Sequence, residues 1–265
     1  MRRMEYKISL AACAGRSHLS AGRPCQDKVA LYRNGYAVCA ALADGAGSCA
    51  SSDLGAACVT QCTSELLCRR FDDLWAMEDG VLAEELIQTC TRVLCQQEPP
   101  IYELASTLLF FAGHADGRYL SGHLGDGVQV FVQNGTALVF SPPENGVYQN
   151  ETFFITTDDA AEHLRLHRGR LEDPGALLMM SDGMAESLYQ QSTGEPAPAC
   201  GTIARWLEDG DEETISQALE FNMRQIFSKR SGDDLGLVVI AWDDQTFRSR
   251  KDASAPIHKS GLPAK

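Results

Sequence analysis

Between residues 106 and 140 four apolar, strand-length runs follow one another with only a glycine-containing turn between them. The runs cover 106–114, 118–124, 128–133 and 136–140, and the breaks are Asp116-Gly117, Gly125-Asp126-Gly127 and Asn134-Gly135. Turns this short join antiparallel neighbours, so the stretch predicts a meander of hairpins. Asn34-Gly35 sits in the same way between 28–33 and 36–43, and residues 5–13 predict a first strand. Residues 151–156, 163–168 and 176–181 continue the β pattern, and 235–242 (LGLVVIAW), apolar throughout, predicts a central, buried strand. Helical spacing of apolar residues marks 51–70, with Ser51 or Ser52 as the cap and Asp53 at the positive end. It also marks 78–97, which Pro99-Pro100 stops, and then 201–208 and 212–229. There is no internal repeat and no interior linker. The simplest organisation is one α+β domain over residues 1–244, followed by a polar tail, 245–265, expected to be disordered.

The chain has 265 residues and a formal net charge of −13, which disfavours a general nucleic-acid binder because a polyanion would be repelled. The acidity either serves solubility or includes carboxylates gathered around cations. Ten cysteines occur without a single CxxC pair, which argues against a structural zinc knuckle. They read as reduced, buried thiols of a cytoplasmic protein. The N-terminus lacks the apolar stretch of a signal peptide, and no apolar run approaches the roughly 18 residues a membrane span needs. Phosphate-loop, GxGxxG and GxSxG patterns are missing. His163 and His167 stand four apart and could bind zinc on a helix, but the stretch reads equally well as a strand. His114 and His123 read as structural, and Trp75, Trp206 and Trp242 as packing residues.

The informative residues are aspartates at the ends of apolar strands. Asp44 ends one run and precedes Gly45, Asp126 lies between two glycines, and Asp182 follows Leu177–Met180 and precedes Gly183. Asp233 and Asp234 immediately precede the last strand and follow Gly232, and Asp27 stands just before the strand that begins at Lys28. An Asp at a strand end is held by a rigid scaffold, and a neighbouring glycine lets a cation approach the backbone. Mg²⁺ and Mn²⁺ take oxygen ligands of this kind, and carboxylates brought together without a cation repel one another. Any one Asp-Gly pair is by itself more simply a turn, as Asp116-Gly117 is expected to be. The expectation is that the others converge.

These segments resemble the protein phosphatase 2C family of metal-dependent Ser/Thr phosphatases, of a divergent bacterial type. The resemblance spans residues 8–242 and rests on five motifs in the family's order. They are Gly15–Asp27 (GRSHLSAGRPCQD), Ala43–Ser48 (ADGAGS), Ser106–Phe111 with Gly122–Val130, Met180–Glu186 (MSDGMAE) and Gly232–Ile240 (GDDLGLVVI). It implies a four-layer α-β-β-α sandwich, two antiparallel sheets flanked by helices. It also implies two to three Mn²⁺ or Mg²⁺ ions. Asp44 would bridge two of them with the Gly45 carbonyl on the second, Asp182 and Asp233 would hold the first, and Asp126 with Asp182 a third. Asp27 would be an outer or water-mediated ligand of the metals, with Gln26 and Asp234 behind the ligands. Catalysis would rest on Asp44, Asp182 and Asp233, through a metal-bridging hydroxide that attacks phosphoserine or phosphothreonine in proteins.

The sequence also departs from the family's pattern. Gln26 stands where a Glu is usual, Gly22 where a phosphate-binding Arg is expected, and Ala46 where some members carry a His. Arg23, Arg16 and His18 are the candidates to bind phosphate instead. The expected partners are phosphorylated proteins, opposing a Ser/Thr kinase, with neither nucleic acid nor membrane. The departures motivate an alternative, a pseudophosphatase that binds phosphoproteins or partners as a regulatory or scaffolding module. Hydrolysis of a small phosphorylated metabolite is a third reading.

Overall fold

The structure, a computed structural model, describes residues 3–144 and 152–244. In chain order the elements are β1 (Met4–Cys13), α1 (Arg16–Ala21), β2 (Lys28–Arg33), β3 (Ala37–Ala43), α2 (Ser52–Arg69), α3 (Phe71–Trp75) and α4 (Asp79–Leu94). Then come β4 (Leu108–His114), β5 (Arg118–Leu124), β6 (Val128–Gln133), β7 (Thr136–Ser141), α5 (Ala160–His163), β8 (Arg165–Arg170) and β9 (Gly175–Met180). The chain continues through α6 (Asp182–Leu188), β10 (Tyr189–Gln190), β11 (Glu195–Pro196), α7 (Ala199–Asp209), α8 (Glu212–Gln225) and β12 (Leu235–Asp244).

Two five-stranded antiparallel sheets stack face to face, one in the order β1-β12-β9-β6-β7 and the other β2-β3-β4-β5-β8. Leu42, Leu109, Phe111, Met179, Val238 and Ile240 fill the space between them. On the outer face of the first sheet α6, α7 and α8 pack through Met184, Ile203, Leu207 and Leu219. On the outer face of the second, α2 and α4 pack through Val59, Leu67, Leu82 and Leu86. Burial of each such side chain contributes about 1.5–3 kcal/mol, and each sheet is held by apolar contact on both of its faces. The α+β, α-β-β-α sandwich expected from the resemblance is the architecture observed.

The structure corrects several details. The expected meander over 106–140 is broken: β4 pairs with β5 in one sheet and β6 with β7 in the other. At Gly125-Asp126-Gly127 the chain crosses between sheets instead of turning back. Gly125 takes φ +109°, and a Cβ there would lie 2.5 Å from Thr107 Cγ2, while one on Gly127 would lie 2.7 Å from the Met180 carbonyl. Residues 152–156 form no strand, and position 151 lies outside the described residues, as does the tail, 245–265. The strand expected at 163–168 runs from Arg165 to Arg170, after α5. His163 and His167 therefore sit on different elements, and His163 stacks on Phe153 with ring centroids 3.5 Å apart. Ser51 does precede α2 but makes no side-chain cap bond, and Ser52, the first helical residue, uses its hydroxyl to accept from Gln26 and donate to the Cys49 carbonyl. α1 and α3, with six and five residues, are too short to show a period in sequence. β12 lies inside its sheet with nine of its ten residues buried, as its composition predicts.

Candidate active site

Strand register brings the aspartates together. β2 and β3 pair with Lys28 opposite Ala43, so the residues just beyond the pair, Asp27 and Asp44, face each other at one end of the sandwich. β3 and β4 pair with Leu42 opposite Leu109, and the ladder continues past the strands: Asp44 N–H donates to Thr107 Oγ1 and Thr107 N–H to the Asp44 carbonyl, both at 2.9 Å. Gly45 bridges to Ser106, and Ala46 N–H donates to the Ala105 carbonyl at 2.9 Å. The Asp44 loop is thus backbone-locked before any side chain is counted. In the other sheet Met180 pairs with both Val128 and Leu237, which sets Asp126, Asp182 and the start of β12 side by side at the same end.

Asp27 and Asp234 are buried, Asp44, Asp126 and Asp182 half-buried, and Asp233 exposed, so the carboxylates run from the floor of a cleft to its mouth. The Asp44 carboxyl lies against those of both Asp27 and Asp182, close enough to share a proton with either. Burial pushes the Asp44 carboxyl well above the usual carboxylate range, and the Asp27 and Asp182 charges push it further. Burial also raises Asp27; the Ser181 hydrogen bond opposes this and the Asp182 and Asp234 charges add to it, leaving it at about 8. At Asp182 burial is again the largest cause, opposed by the Asp44 bond and reinforced by Asp126 and Asp233, for a value of about 6. Asp126 is raised by burial and by Asp233, against a 2.6 Å hydrogen bond from Thr152 Oγ1. Carboxyls in such contact coexist only by sharing protons or a cation.

Asp234 works differently from its neighbour. Its Oδ1 accepts from Gly15 N–H at 2.7 Å, and its Oδ2 accepts from Gln26 N–H at 2.5 Å and contacts His18 Nδ1 at 2.8 Å. It fastens both ends of the segment 15–26 to the start of β12. The segment lies so close that a Cβ on Gly15 would stand 2.0 Å from the Asp233 carbonyl oxygen. Of the phosphate-binding candidates, His18 is thus tied through Nδ1, and Arg16 reaches the Lys229 carbonyl at 3.3 Å. Arg23 reaches the Gly47 carbonyl at 3.4 Å, within the loop that carries Asp44. Gln26 Nε2 donates to Ser52 Oγ at 2.5 Å and to the Cys49 carbonyl at 3.2 Å.

Three hydroxyls that sequence reasoning left without a role hold this arrangement. Ser181 Oγ donates to Asp27 Oδ2 at 2.6 Å and accepts from Gly236 N–H at 2.9 Å. Thr107 anchors Asp44, and Thr152 anchors Asp126. Ser181 was legible only as a neighbour of Asp182 and Thr107 only as part of a strand motif, while Thr152 gave no signal.

Among the described residues no group of three or more His, Cys, Asp or Glu side chains has the closed spacing of a metal site. The donors nonetheless fit hard cations. Asp27 Oδ1 and Gln26 Oε1 are buried without a hydrogen-bond partner among the described residues, two oxygens free to meet a cation. Gly45 is the only residue type its position admits, because a Cβ would meet the Ser52 backbone at 2.9 Å.

The family model for protein phosphatase 2C matches residues 14–223. The chain belongs to this family. It is 25% identical over 253 residues to Serine/threonine-protein phosphatase 3 of Escherichia coli (strain K12), covering 90% of this chain and 99% of that protein. Among solved structures it is similar to the catalytic domain of the serine threonine protein phosphatase PstP in complex with two manganese ions. That likeness has a TM-score of 0.62 at 16% identity, over 92% of this chain and all of the other. RsbX in complex with magnesium gives 0.55 at 13% identity, again over 92% of this chain and all of the other. At such identities the structural likenesses establish the fold. The family and the Escherichia coli relative support phosphatase activity of the Ser/Thr class. Among the described residues no helix is long and apolar enough to cross a membrane, and all ten thiols are free.

Proposed function

We propose that the chain hydrolyses phosphoserine and phosphothreonine in proteins, reversing a Ser/Thr kinase in the cytoplasm, with Mn²⁺ or Mg²⁺ held by the aspartate cluster. The observation that carries the reading is the contact of Asp44 with both Asp27 and Asp182, from three separate loops, beside the two unpartnered oxygens of Gln26 and Asp27. Asp44, the Gly45 carbonyl, Asp182 and Asp233 would hold two ions, Asp126 with Asp182 a third, and Asp27 would contribute directly or through water. Bound there, the ions would supply a bridging hydroxide at neutral pH and neutralise charge on the phosphoryl oxygens. The chain's own residues do the rest. Thr107, Ser181 and Thr152 fix the carboxylates in place, Asp234 fixes the segment 15–26, and Arg23 brings a guanidinium to the Asp44 loop, where it would meet a substrate phosphate. The manganese of PstP and the magnesium of RsbX support the choice of metal.

The alternative, a pseudophosphatase, is motivated by Gln26 and Gly22, but the full set of aspartates in one cleft favours turnover. Titrating Mn²⁺ against hydrolysis of a phosphopeptide separates the two. Asp44→Ala and Asp182→Ala should each lower the rate by at least about 10³-fold, in line with loss of a charge-stabilising group, and should shrink the rise in Tm that Mn²⁺ gives the wild type. Full activity in either variant defeats the assignment.

A further inference from the structure

The oxygen that leaves a phosphoserine departs as an alkoxide, nearly as basic as hydroxide, and a proton delivered to it in the transition state speeds its loss. Carboxylates that hold cations have no proton to give, and the Arg23 guanidinium does not release one. The hydroxyls of Thr107, Ser181 and Thr152 are engaged at Asp44, Asp27 and Asp126. The segment 15–26 carries a group suited to the task. His18 Nδ1 lies 2.8 Å from Asp234 Oδ2, and the other contacts of that carboxylate are the Gly15 and Gln26 N–H groups. Every partner is an N–H group, so Asp234 is a pure acceptor and the ring carries its Nδ1 proton. Nε2, across the ring, has no partner among the described residues. The His18 side chain is 13% exposed against 2% for Asp234, so the ring is anchored on its buried side and open on the other.

We propose that His18 is the general acid that protonates the leaving serine or threonine oxygen, with Asp234 as the residue that positions it. The proposal rests on the phosphatase reading above. As hydroxide bonds to phosphorus, the bond from phosphorus to the serine or threonine oxygen breaks. Its electron pair stays on that oxygen, which takes the Nε2 proton and leaves as the alcohol. His18 is left neutral, with Nδ1–H still donating to Asp234, and the open Nε2 recovers a proton from solvent. Asp234 fixes which nitrogen acts, since a ring that donates from Nδ1 can exchange a proton only at Nε2.

Two chains of contact put the ring at the wall of the cleft. Asp234 Oδ2 joins it to Gln26, whose Oε1 is one of the two orphaned oxygens there. Arg23 N–H donates to the His18 carbonyl at 2.9 Å, and the Arg23 guanidinium reaches Gly47 in the Asp44 loop. The other described histidines serve elsewhere. His114 contacts Asp116, His123 is fully buried against Arg165, His163 stacks on Phe153 and His167 faces Phe140.

The test compares leaving groups on the full chain with Mn²⁺. A phosphoserine peptide expels an alkoxide, whereas p-nitrophenyl phosphate expels a weakly basic phenolate that needs little protonation. His18→Asn keeps a nitrogen donor for Asp234 and removes Nε2. Its kcat ratio, phosphopeptide over p-nitrophenyl phosphate, should fall about 10²-fold or more relative to the wild type. His18→Ala should show the same fall, and added imidazole should restore its phosphopeptide turnover. Thermal melts identify the folded variants, and either one decides alone. In the wild type itself, kcat across a series of aryl and alkyl phosphates should depend only weakly on leaving-group basicity, which decides the matter if neither variant folds. An unchanged ratio in a folded variant overturns the proposal, including the case in which both rates fall together, as loss of a phosphate-binding or structural His18 would make them. A steep dependence on leaving-group basicity in the wild type overturns it as well. A wild type that hydrolyses neither substrate removes the phosphatase reading itself, and the general acid with it.

Discussion

Ser181→Ala tests whether the cleft is held by buried hydroxyls and not by the carboxylates alone. Ser181 is fully buried, and its oxygen makes two hydrogen bonds, one to Asp27 Oδ2 at 2.6 Å and one from Gly236 N–H at 2.9 Å. Alanine removes both and leaves a buried carboxylate oxygen and a buried amide unpaired. Each of the two orphaned groups costs about 1–3 kcal/mol, so the metal-free protein should lose roughly 2–6 kcal/mol. For a domain of this size about 2–4 °C of Tm goes with each kcal/mol, which places the expected fall at roughly 4–24 °C in a thermal melt with chelator present. A second effect is separable from the first. Asp27 would no longer be oriented toward its neighbours, and loss of such an outer partner typically weakens metal binding about 10–100-fold. The Mn²⁺ concentration for half-maximal phosphopeptide hydrolysis should rise by that factor, with kcat largely recovered at saturation. A variant whose melt and Mn²⁺ half-saturation both match the wild type would refute the reasoning, because Asp27 would then be held by something other than Ser181.

Other perturbations follow from the same geometry. Gln26→Glu replaces the amide that donates to Cys49 O and Ser52 Oγ with a carboxylate beside Asp27. The metal-free protein should melt several degrees lower while Mn²⁺ affinity rises about tenfold or more, and a change of both in the same direction would count against the role given to Gln26. His123 offers a pH test. Its Nδ1 faces the Arg165 guanidinium, which can only donate, at 3.0 Å, so the ring is neutral; burial first and the Arg165 charge second hold its pKa well below 6.5. A depressed pKa stabilises the fold above the unfolded value of about 6.5, and the stability is lost as pH falls below it. The loss runs at up to about 1.4 kcal/mol per pH unit. Urea melts of wild type and His123→Gln between pH 7 and 5 should diverge by this slope, and parallel curves would show that the ring takes up its proton in the folded state.

Much of the fold was legible because turn chemistry and apolar run length act locally. Asn34-Gly35 and Asn134-Gly135 do close hairpins, and β2, β5 and β6 have the bounds their runs suggest. The failure at Gly125-Asp126-Gly127 has a clear cause. A glycine-flanked aspartate between two strands looks the same whether the chain turns back within a sheet or crosses to the other. Only the partners it meets, Thr107 on one side and Met180 on the other, decide the matter, and they are distant in sequence. The residues alone did not divide the Asp233-Asp234 pair; the family resemblance did, with Asp233 as ligand and Asp234 behind it. Adjacent residues entering a strand point to opposite sides, so one carboxylate is left exposed at the cleft mouth and the other is buried against the segment 15–26, but composition does not say which.

The site and the sandwich are therefore specified by the same information. Leu42 opposite Leu109 and Met180 opposite both Val128 and Leu237 are core pairings, chosen by the apolar faces they bury, and Lys28 opposite Ala43 continues the same register to the sheet's edge strand. A slip of one residue in any of these would exchange the side chains that meet the helices with those that meet the other sheet, so register is strongly fixed where both faces are packed. The same slip would carry Asp27 away from Asp44, or Asp182 away from the start of β12. The aspartates that repel one another in the metal-free cleft are thus held in place by side chains that never touch it. That is the physical reason single carboxylates at strand ends, each unremarkable as a turn, add up to one pocket.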